Sequence, residues 1–303
     1  MRLIFTAIAG CIAFFLSAVL FRNSGDFSLA HAIALGIIEG ITEYLPVSST
    51  GHLLVAQNLM GLTQTDAAKS AADAYAIIIQ IGAILAVTGL YRNRVKQMFM
   101  GLFGRDQSGL NLIFRLIIAF IPAAVMGLLF SSMIKQVLFG LLPITIAWLI
   151  GGLVIIVFAG KHPPKDSHSL VSIDDITMKQ ALIIGLFQIL ALWPGVSRSL
   201  ATILGGLIAG LALPLAVEFS FLLGLITLCA ATCYEMLKSG GEVIFSYGWF
   251  LPAIGIISSF VSAWIAVKWL VTYLTQHGLA LFGYYRIILA AATGVLILLG
   301  IAG

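Results

Sequence analysis

Read from the N-terminus, the chain is a succession of apolar runs separated by short polar stretches. The runs cover 3–21, 28–45, 50–62, 73–91, 110–130, 137–159, 177–192, 197–211, 214–234, 250–273 and 284–302. A hydrocarbon core is crossed by roughly 20 helical residues, and most of these runs reach that length. Four fall short: 28–45, 50–62, 177–192 and 197–211. They form two pairs, joined at Pro46-Val47-Ser48-Ser49-Thr50-Gly51 and at Pro194-Gly195-Val196-Ser197-Arg198-Ser199. Proline removes a backbone donor and glycine loosens the turn. The pattern predicts two re-entrant helical hairpins, with irregular backbone tolerated at membrane depth only where protein or a wet cavity surrounds it.

The hairpins read as copies. Gly36-Ile37-Ile38-Glu39 before Pro46 resembles Gly185-Leu186-Phe187-Gln188 before Pro194, with a one-residue slip. Three long runs follow each hairpin. The expected fold is an all-α polytopic membrane protein: an inverted repeat with two re-entrant hairpins, six full spans and one extra N-terminal helix. Residues 1–27 hold that helix, and 28–303 form one membrane-embedded unit with repeats at about 28–160 and 177–303. Arg2 and Arg22 flank the first run, which reads as a retained helix rather than a cleaved signal peptide. A site between such repeats lies near the midplane.

Composition sharpens this. The chain of 303 residues is 61% hydrophobic and 9% charged, against about 25% charged in soluble domains. The net charge of +4 fits orientation and headgroup attraction, not nucleic-acid binding. Arg92, Arg94, Lys96 and Arg105 in one loop, and Lys161 and Lys165 with Lys179 in another, mark the cytoplasmic side. The first hairpin then enters from the outer face and the second from the inner face. His162, Asp166, His168, Asp174 and Asp175 read as a solvated loop rather than a metal site. Cys11, Cys229 and Cys233 read as packing residues.

Charge inside an apolar segment is costly, at least ~2.5–3.5 kcal/mol at the bilayer centre, so Glu39 and Glu43 require an explanation. Their i, i+4 spacing puts both on one helical face. A cation, a shared proton or a basic partner must offset their repulsion. Ser48, Ser49, Thr50 and His52 follow the first break, and Ser197, Arg198, Ser199 and Thr202 follow the second. Arginine suits phosphate through its planar fork, turn N–H groups suit an anion, and paired carboxylates suit a hard divalent ion. Plainer readings stand beside these. The two glutamates can pair across helices, Ser49 can be a helix cap, and His52 can donate to a carbonyl. Gln80 can be interhelical glue. Arg115 and Arg286 read as interface anchors, and Glu218 as a first-turn carboxylate complementing a helix dipole. His31 and His277 suggest no chemistry.

Glu39-Gly40-Ile41-Thr42-Glu43-Tyr44-Leu45-Pro46-Val47-Ser48-Ser49-Thr50-Gly51-His52 and Pro194-Gly195-Val196-Ser197-Arg198-Ser199-Leu200-Ala201-Thr202 resemble the two signatures of the undecaprenyl-diphosphatase, or bacitracin-resistance, family. The resemblance runs from about residue 29 to the C-terminus and takes in Gln80 and Glu218–Leu223. Val196 and Leu200 stand where the family usually has Thr and Gly, and no basic residue follows Pro214. The resemblance implies hydrolysis of undecaprenyl diphosphate to the monophosphate carrier at the outer face of the bacterial inner membrane. It also implies Mg²⁺ or Ca²⁺ handled by Glu39 and Glu43, the diphosphate held by Arg198, and attack by Ser49 or through His52. Ser48, Thr50, Ser197, Ser199, Thr202 and Gln80 are the expected substrate contacts. The expected partners are the polyprenyl diphosphate and membrane lipids, and a homodimer is compatible with the pattern. A transporter or flippase of polyprenyl phosphate is the competing class, because inverted repeats suit alternating access.

Overall fold

The computed structural model describes residues 2–20, 27–161 and 172–301. The lysine, histidines and aspartate of the basic loop, Lys165, His162, His168 and Asp166, lie outside them, as does Arg22. All regular elements among the described residues are helical. In chain order they are α1 (Arg2–Leu20), α2 (Leu29–Thr42), α3 (Ser49–Leu59), α4 (Asp66–Leu90), α5 (Arg92–Leu102), α6 (Gln107–Leu138) and α7 (Leu141–Lys161). Then come α8 (Met178–Ile189), α9 (Arg198–Ile208), α10 (Leu213–Tyr247), α11 (Phe250–His277) and α12 (Ala280–Leu298), with single 3-10 turns at Ile173–Asp175 and Leu190–Leu192. Six helices are long and apolar enough to cross a membrane: α4, α6, α7, α10, α11 and α12. They are the six spans expected from the sequence. Their outward faces carry exposed Leu128, Leu129, Leu153 and Ile265, an apolar surface that a water-soluble monomer would not present. This is a multi-pass membrane protein.

The four short segments form two helical pairs, α2 with α3 and α8 with α9, and the pairs are built alike. Each begins with a capping box: Ser28 with His31, and Thr177 with Gln180. Each leading helix presses a glycine against a neighbour's backbone. A Cβ on Gly36 would lie 2.5 Å from the Gly255 carbonyl of α11, and one on Gly185 would lie 2.5 Å from the Ala119 carbonyl of α6. Each break ends on a serine at positive φ, Ser48 (74°) and Ser197 (77°), the two non-glycine residues of that kind among the described residues. Each of these serines caps the next helix, from Gly51 N–H and Leu200 N–H. Each pair closes on a positive-φ glycine, Gly61 or Gly210. All four matched positions stand at one common interval along the chain. The one-residue slip therefore belongs to the prolines and not to the helices.

Packing repeats too. The first pair lies on α11 as the second lies on α6, and α4 meets α11 as α10 meets α6. The contacts of α4 with α10 and of α7 with α12 join the halves. Outside this plan, α1 packs along α12 and α3. Helix α5 departs from the sequence pattern, in which Arg92, Arg94 and Lys96 read as loop. It is amphipathic, with Phe99 and Leu102 exposed beside those charges, as an interfacial helix requires. Gly101 of α5 sits on the backbone of Gly109 and Leu110 in α6.

Candidate active site

The two breaks meet. Glu43 caps the C-terminal end of α2, and Ser49 opens α3 immediately past Ser48. The turn between them folds the Ser49 hydroxyl back to donate to Glu43 Oε2. From the other hairpin, Arg198 Nη2 donates to Glu43 Oε1 at 3.0 Å. One carboxylate thus holds the first residue of α3 and the first residue of α9. Ser199 Oγ donates to the Glu43 backbone carbonyl at 3.2 Å. Arg198 is held further by Nη1 on the Ser220 carbonyl (3.1 Å) and by the Tyr44 ring, 5.1 Å from its guanidinium carbon. The Arg198 side chain is 11% exposed and that of Glu43 is 5% exposed. Their attraction acts with little water between them, and either charge left alone would be costly.

A cavity of about 100 Å³ opens on this junction. Glu43, Ser48, Ser49, Thr50 and Gln80 line it from one half, and Ser197 and Arg198 from the other, with Trp193 and Leu228 as apolar wall. Gln80 also accepts from Thr232 Oγ1 at 3.4 Å, so it serves both as cavity wall and as a link between α4 and α10. Oxygens, hydroxyls and a guanidinium around so small a space suit a phosphate-sized anion.

Four expected residues do not line the cavity. Ser199 and Thr202 face inward as braces, Thr202 Oγ1 lying 2.8 Å from the Arg198 carbonyl and 2.6 Å from Ser220 Oγ. Glu39 lies one turn behind Glu43 with no exposed surface, and neither of its carboxylate oxygens has a hydrogen-bond partner. His52 lies on the far side of the break. Its Nδ1 meets the Ser48 carbonyl at 2.6 Å and its Nε2 meets Tyr285 Oη at 2.8 Å. A carbonyl can only accept, so Nδ1 carries a proton, and in the neutral ring Nε2 accepts from the tyrosine hydroxyl. The ring stacks on Tyr285 and borders a separate apolar cavity of about 460 Å³ lined by α1, α2 and α12.

This chain matches the family model of the bacitracin resistance protein BacA over residues 32–292. It belongs to that family. The match begins after α1 and covers both breaks. Among curated relatives of the family, it is 44% identical over 259 residues to undecaprenyl-diphosphatase 1 of Chromobacterium violaceum, covering 86% of this chain and 93% of the relative. It is 41% identical over 259 residues to the undecaprenyl-diphosphatase of Aquifex aeolicus, covering 86% and 94%. It is 44% identical over 264 residues to that of Maridesulfovibrio salexigens, covering 87% and 96%.

Tyr44, Ser220, Tyr285 and Arg286 bear on the site without having been expected there. The sequence reads Arg286 as an interface anchor because the apolar run opens at 284. The helix opens at Ala280 instead, which places Arg286 nearly two turns inside it with no exposed surface. The cost of a buried charge was the signal that could have found it. Glu218 is not in the first turn of α10; it pairs with Arg94 Nε at 2.8 Å. Arg115 donates to the Asp174 carbonyl at 2.8 Å.

Proposed function

We propose that this protein removes the terminal phosphate of undecaprenyl diphosphate, releasing inorganic phosphate and the lipid monophosphate. The observation that carries the reading is Glu43, shared between the Ser49 hydroxyl and the Arg198 guanidinium where two helical breaks meet. The relatives' name supports the substrate, and the small polar cavity in an apolar bundle suits a diphosphate head on a lipid. The two pairs are too short to span, which supports re-entrant hairpins. The basic α5 supports a cytoplasmic place for that end. One span, α4, separates the first pair from α5, which favours an outer-side place for that pair and a site open to the outer face of the bacterial inner membrane.

In this reading Arg198 binds the terminal phosphate, since phosphoryl transfer is chiefly a problem of position and charge. Ser49 Oγ attacks phosphorus, and its proton passes to Glu43, to which it already donates. The bond from phosphorus to the bridging oxygen breaks, and the lipid monophosphate leaves with those electrons. Water then hydrolyses the phosphoserine. His52 holds the Ser48 carbonyl and so the turn that carries Ser49. Water activated by His52 is the competing step and requires the ring to release a present partner; trapping a phosphorylated Ser49 separates the two.

The residues present fit a divalent cation. The two buried oxygens of Glu39 meet no hydrogen-bond donor, and the carboxylate beside them is that of Glu43, one turn on. No three His, Cys, Asp or Glu side chains converge among the described residues. Two carboxylates completed by substrate oxygens is a common Mg²⁺ arrangement. Glu39 and Glu43 are the residues that would hold Mg²⁺ or Ca²⁺, which when bound supplies neutralising charge to phosphate oxygens.

The repeated packing of the two halves favours a second reading, transport of polyprenyl phosphate. Detergent-purified protein offered undecaprenyl diphosphate, with and without chelator, decides between them. Phosphate release that falls on chelation supports the enzyme. No release under either condition overturns it.

A further inference from the structure

Among the described residues Arg286 is the one arginine with no exposed surface, and no carboxylate there pairs with it. Its five N–H groups find five backbone carbonyls instead. Nη1 reaches Pro46 (3.3 Å) in the first break and Val196 (3.1 Å) in the second. Nη2 reaches Gly195 (2.8 Å) in the second break and Ala147 (2.9 Å) in α7, and Nε reaches Trp148 (3.4 Å) in α7. A guanidinium has five donors and no acceptor, so every donor is used. The nearest backbone accommodates it closely: a Cβ on Gly151 would stand 2.2 Å from Nη2.

Five carbonyls turned toward one cation repel each other without it. Three of them belong to the breaks, where no helix supplies partners. In a trans peptide the N–H points opposite the C=O, so holding the Val196 carbonyl turns the Ser197 N–H away from Arg286. One side chain therefore fixes the turn before α3 and the turn before α9 against a common wall, α7. Ser49 and Glu43 belong to the first of these units, and Ser197 and Arg198 to the second.

We propose that Arg286 is a positioning residue that sets the distance between the acidic and the basic half of the site, a role that rests on the phosphatase reading above. Lysine offers a point charge without the fork and spans the two breaks poorly. Arg286→Lys and Arg286→Gln are to be compared with the parent in detergent by hydrogen exchange and by steady-state phosphate release from undecaprenyl diphosphate. Gly151→Ala serves as a second route, because it crowds the guanidinium without removing it and lies on α7.

The expected result is faster exchange at both 44–52 and 193–201, with α4, α6 and α10 still protected. The kcat is expected to fall about 100-fold, the scale of an ångström-sized misplacement, with KM moving less than about threefold. Unchanged protection at the two breaks overturns the proposal, as does parent-like kcat with loosened breaks. Exchange that rises through the whole bundle also overturns it, since Arg286 is then a general stability residue. A parent chain that releases no phosphate sinks the phosphatase reading alone, and the exchange result still decides the clamp.

Discussion

The first and second hairpins share a backbone and divide the chemistry. Caps, tight glycines and left-handed serines fall at matched positions in both. The chemistry-bearing side chains at and around the tips differ. Ser49 in one stands where Arg198 stands in the other, and Glu43 where Leu192 stands; Glu39 is matched by Gln188, and His52 by Ala201. A single way of burying a broken helix has been used twice, and opposite charges have been laid on the two copies. Neither half carries a complete site. In the proposed reading, the function resides in the meeting of the copies, at the Glu43–Arg198 contact.

The sharpest way to break this is at the matched pair of first helical residues. Ser49→Ala is expected to lower phosphate release by about 10⁴–10⁶-fold, the scale seen when one member of a catalytic triad is removed. It should cost about 1–3 kcal/mol of stability, because the Ser48 cap stays but Glu43 Oε2 loses its donor. Arg198→Ala is expected to cost about 10³-fold or more, the scale of an arginine in phosphoryl transfer. It also leaves Glu43 buried without its cation, at about 3–5 kcal/mol of stability. Phosphate release and thermal unfolding measured on both variants test this. Parent-like turnover in Arg198→Ala would mean that the second hairpin is scaffold alone.

Much of this was legible in the chain because the bilayer penalises polar groups so heavily. Glu39, Glu43, His52 and Arg198 stand out from apolar runs, and the short lengths of 28–45 and 177–192 set the two helical pairs apart from the six long helices. The repeat was legible from Gly36 and Gly185, which permit close backbone approach. What stayed hidden depends on direction. Spacing puts Glu39 and Glu43 on one face but does not reveal that only Glu43 reaches the cavity. Nor does it reveal that His52, three residues past Ser49, points to Tyr285, since that partner is remote in sequence. Arg286 was hidden by a helix boundary misplaced by four residues relative to Ala280, and α5 by charges that suit an interface as well as a loop.

A middle-sized test exchanges Glu39 with its counterpart. Gln188 satisfies its amide in full view of the same packing: Nε2 donates to the Ala119 carbonyl (3.4 Å), and Oε1 accepts from Thr227 (3.2 Å). Glu39 has no such partners. Glu39→Gln is therefore expected to fold at least as well as the parent while losing the chelator-sensitive part of its activity. Gln188→Glu sets a carboxylate against the Ala119 carbonyl with no hydrogen to offer. The expected cost is about 1–3 kcal/mol, more than a neutral mismatch if the acid stays charged. Melting curves of both, with phosphate release of the first at fixed Mg²⁺ and after chelation, make the comparison. A strongly destabilised Glu39→Gln would show that the acid serves the fold and not a cation.

The smallest expected effects fall on the two serines at positive φ, and they test whether the scaffolds are equivalent at all. A non-glycine residue in such a region stores on the order of 1 kcal/mol or more. Ser48 and Ser197 repay part of that through their caps. Alanine keeps the strain and loses the cap, so Ser48→Ala and Ser197→Ala should each destabilise by about 1 kcal/mol. Glycine relieves the strain, and at a cap position it costs only a few tenths, although it loses more freedom on folding. Ser48→Gly and Ser197→Gly should then lie within about 1 kcal/mol of the parent, with the same sign in both hairpins, by thermal or denaturant unfolding. The Ser197 hydroxyl has one extra link, a long 3.5 Å approach to the Leu45 carbonyl, so any asymmetry should be small and on that side. If Ser48→Gly proved far more damaging than Ser197→Gly, the first turn would be held by something the second lacks. The His52 ring on the Ser48 carbonyl is the one such bond at the matched position, and adding His52→Ala to Ser48→Gly would then remove the difference.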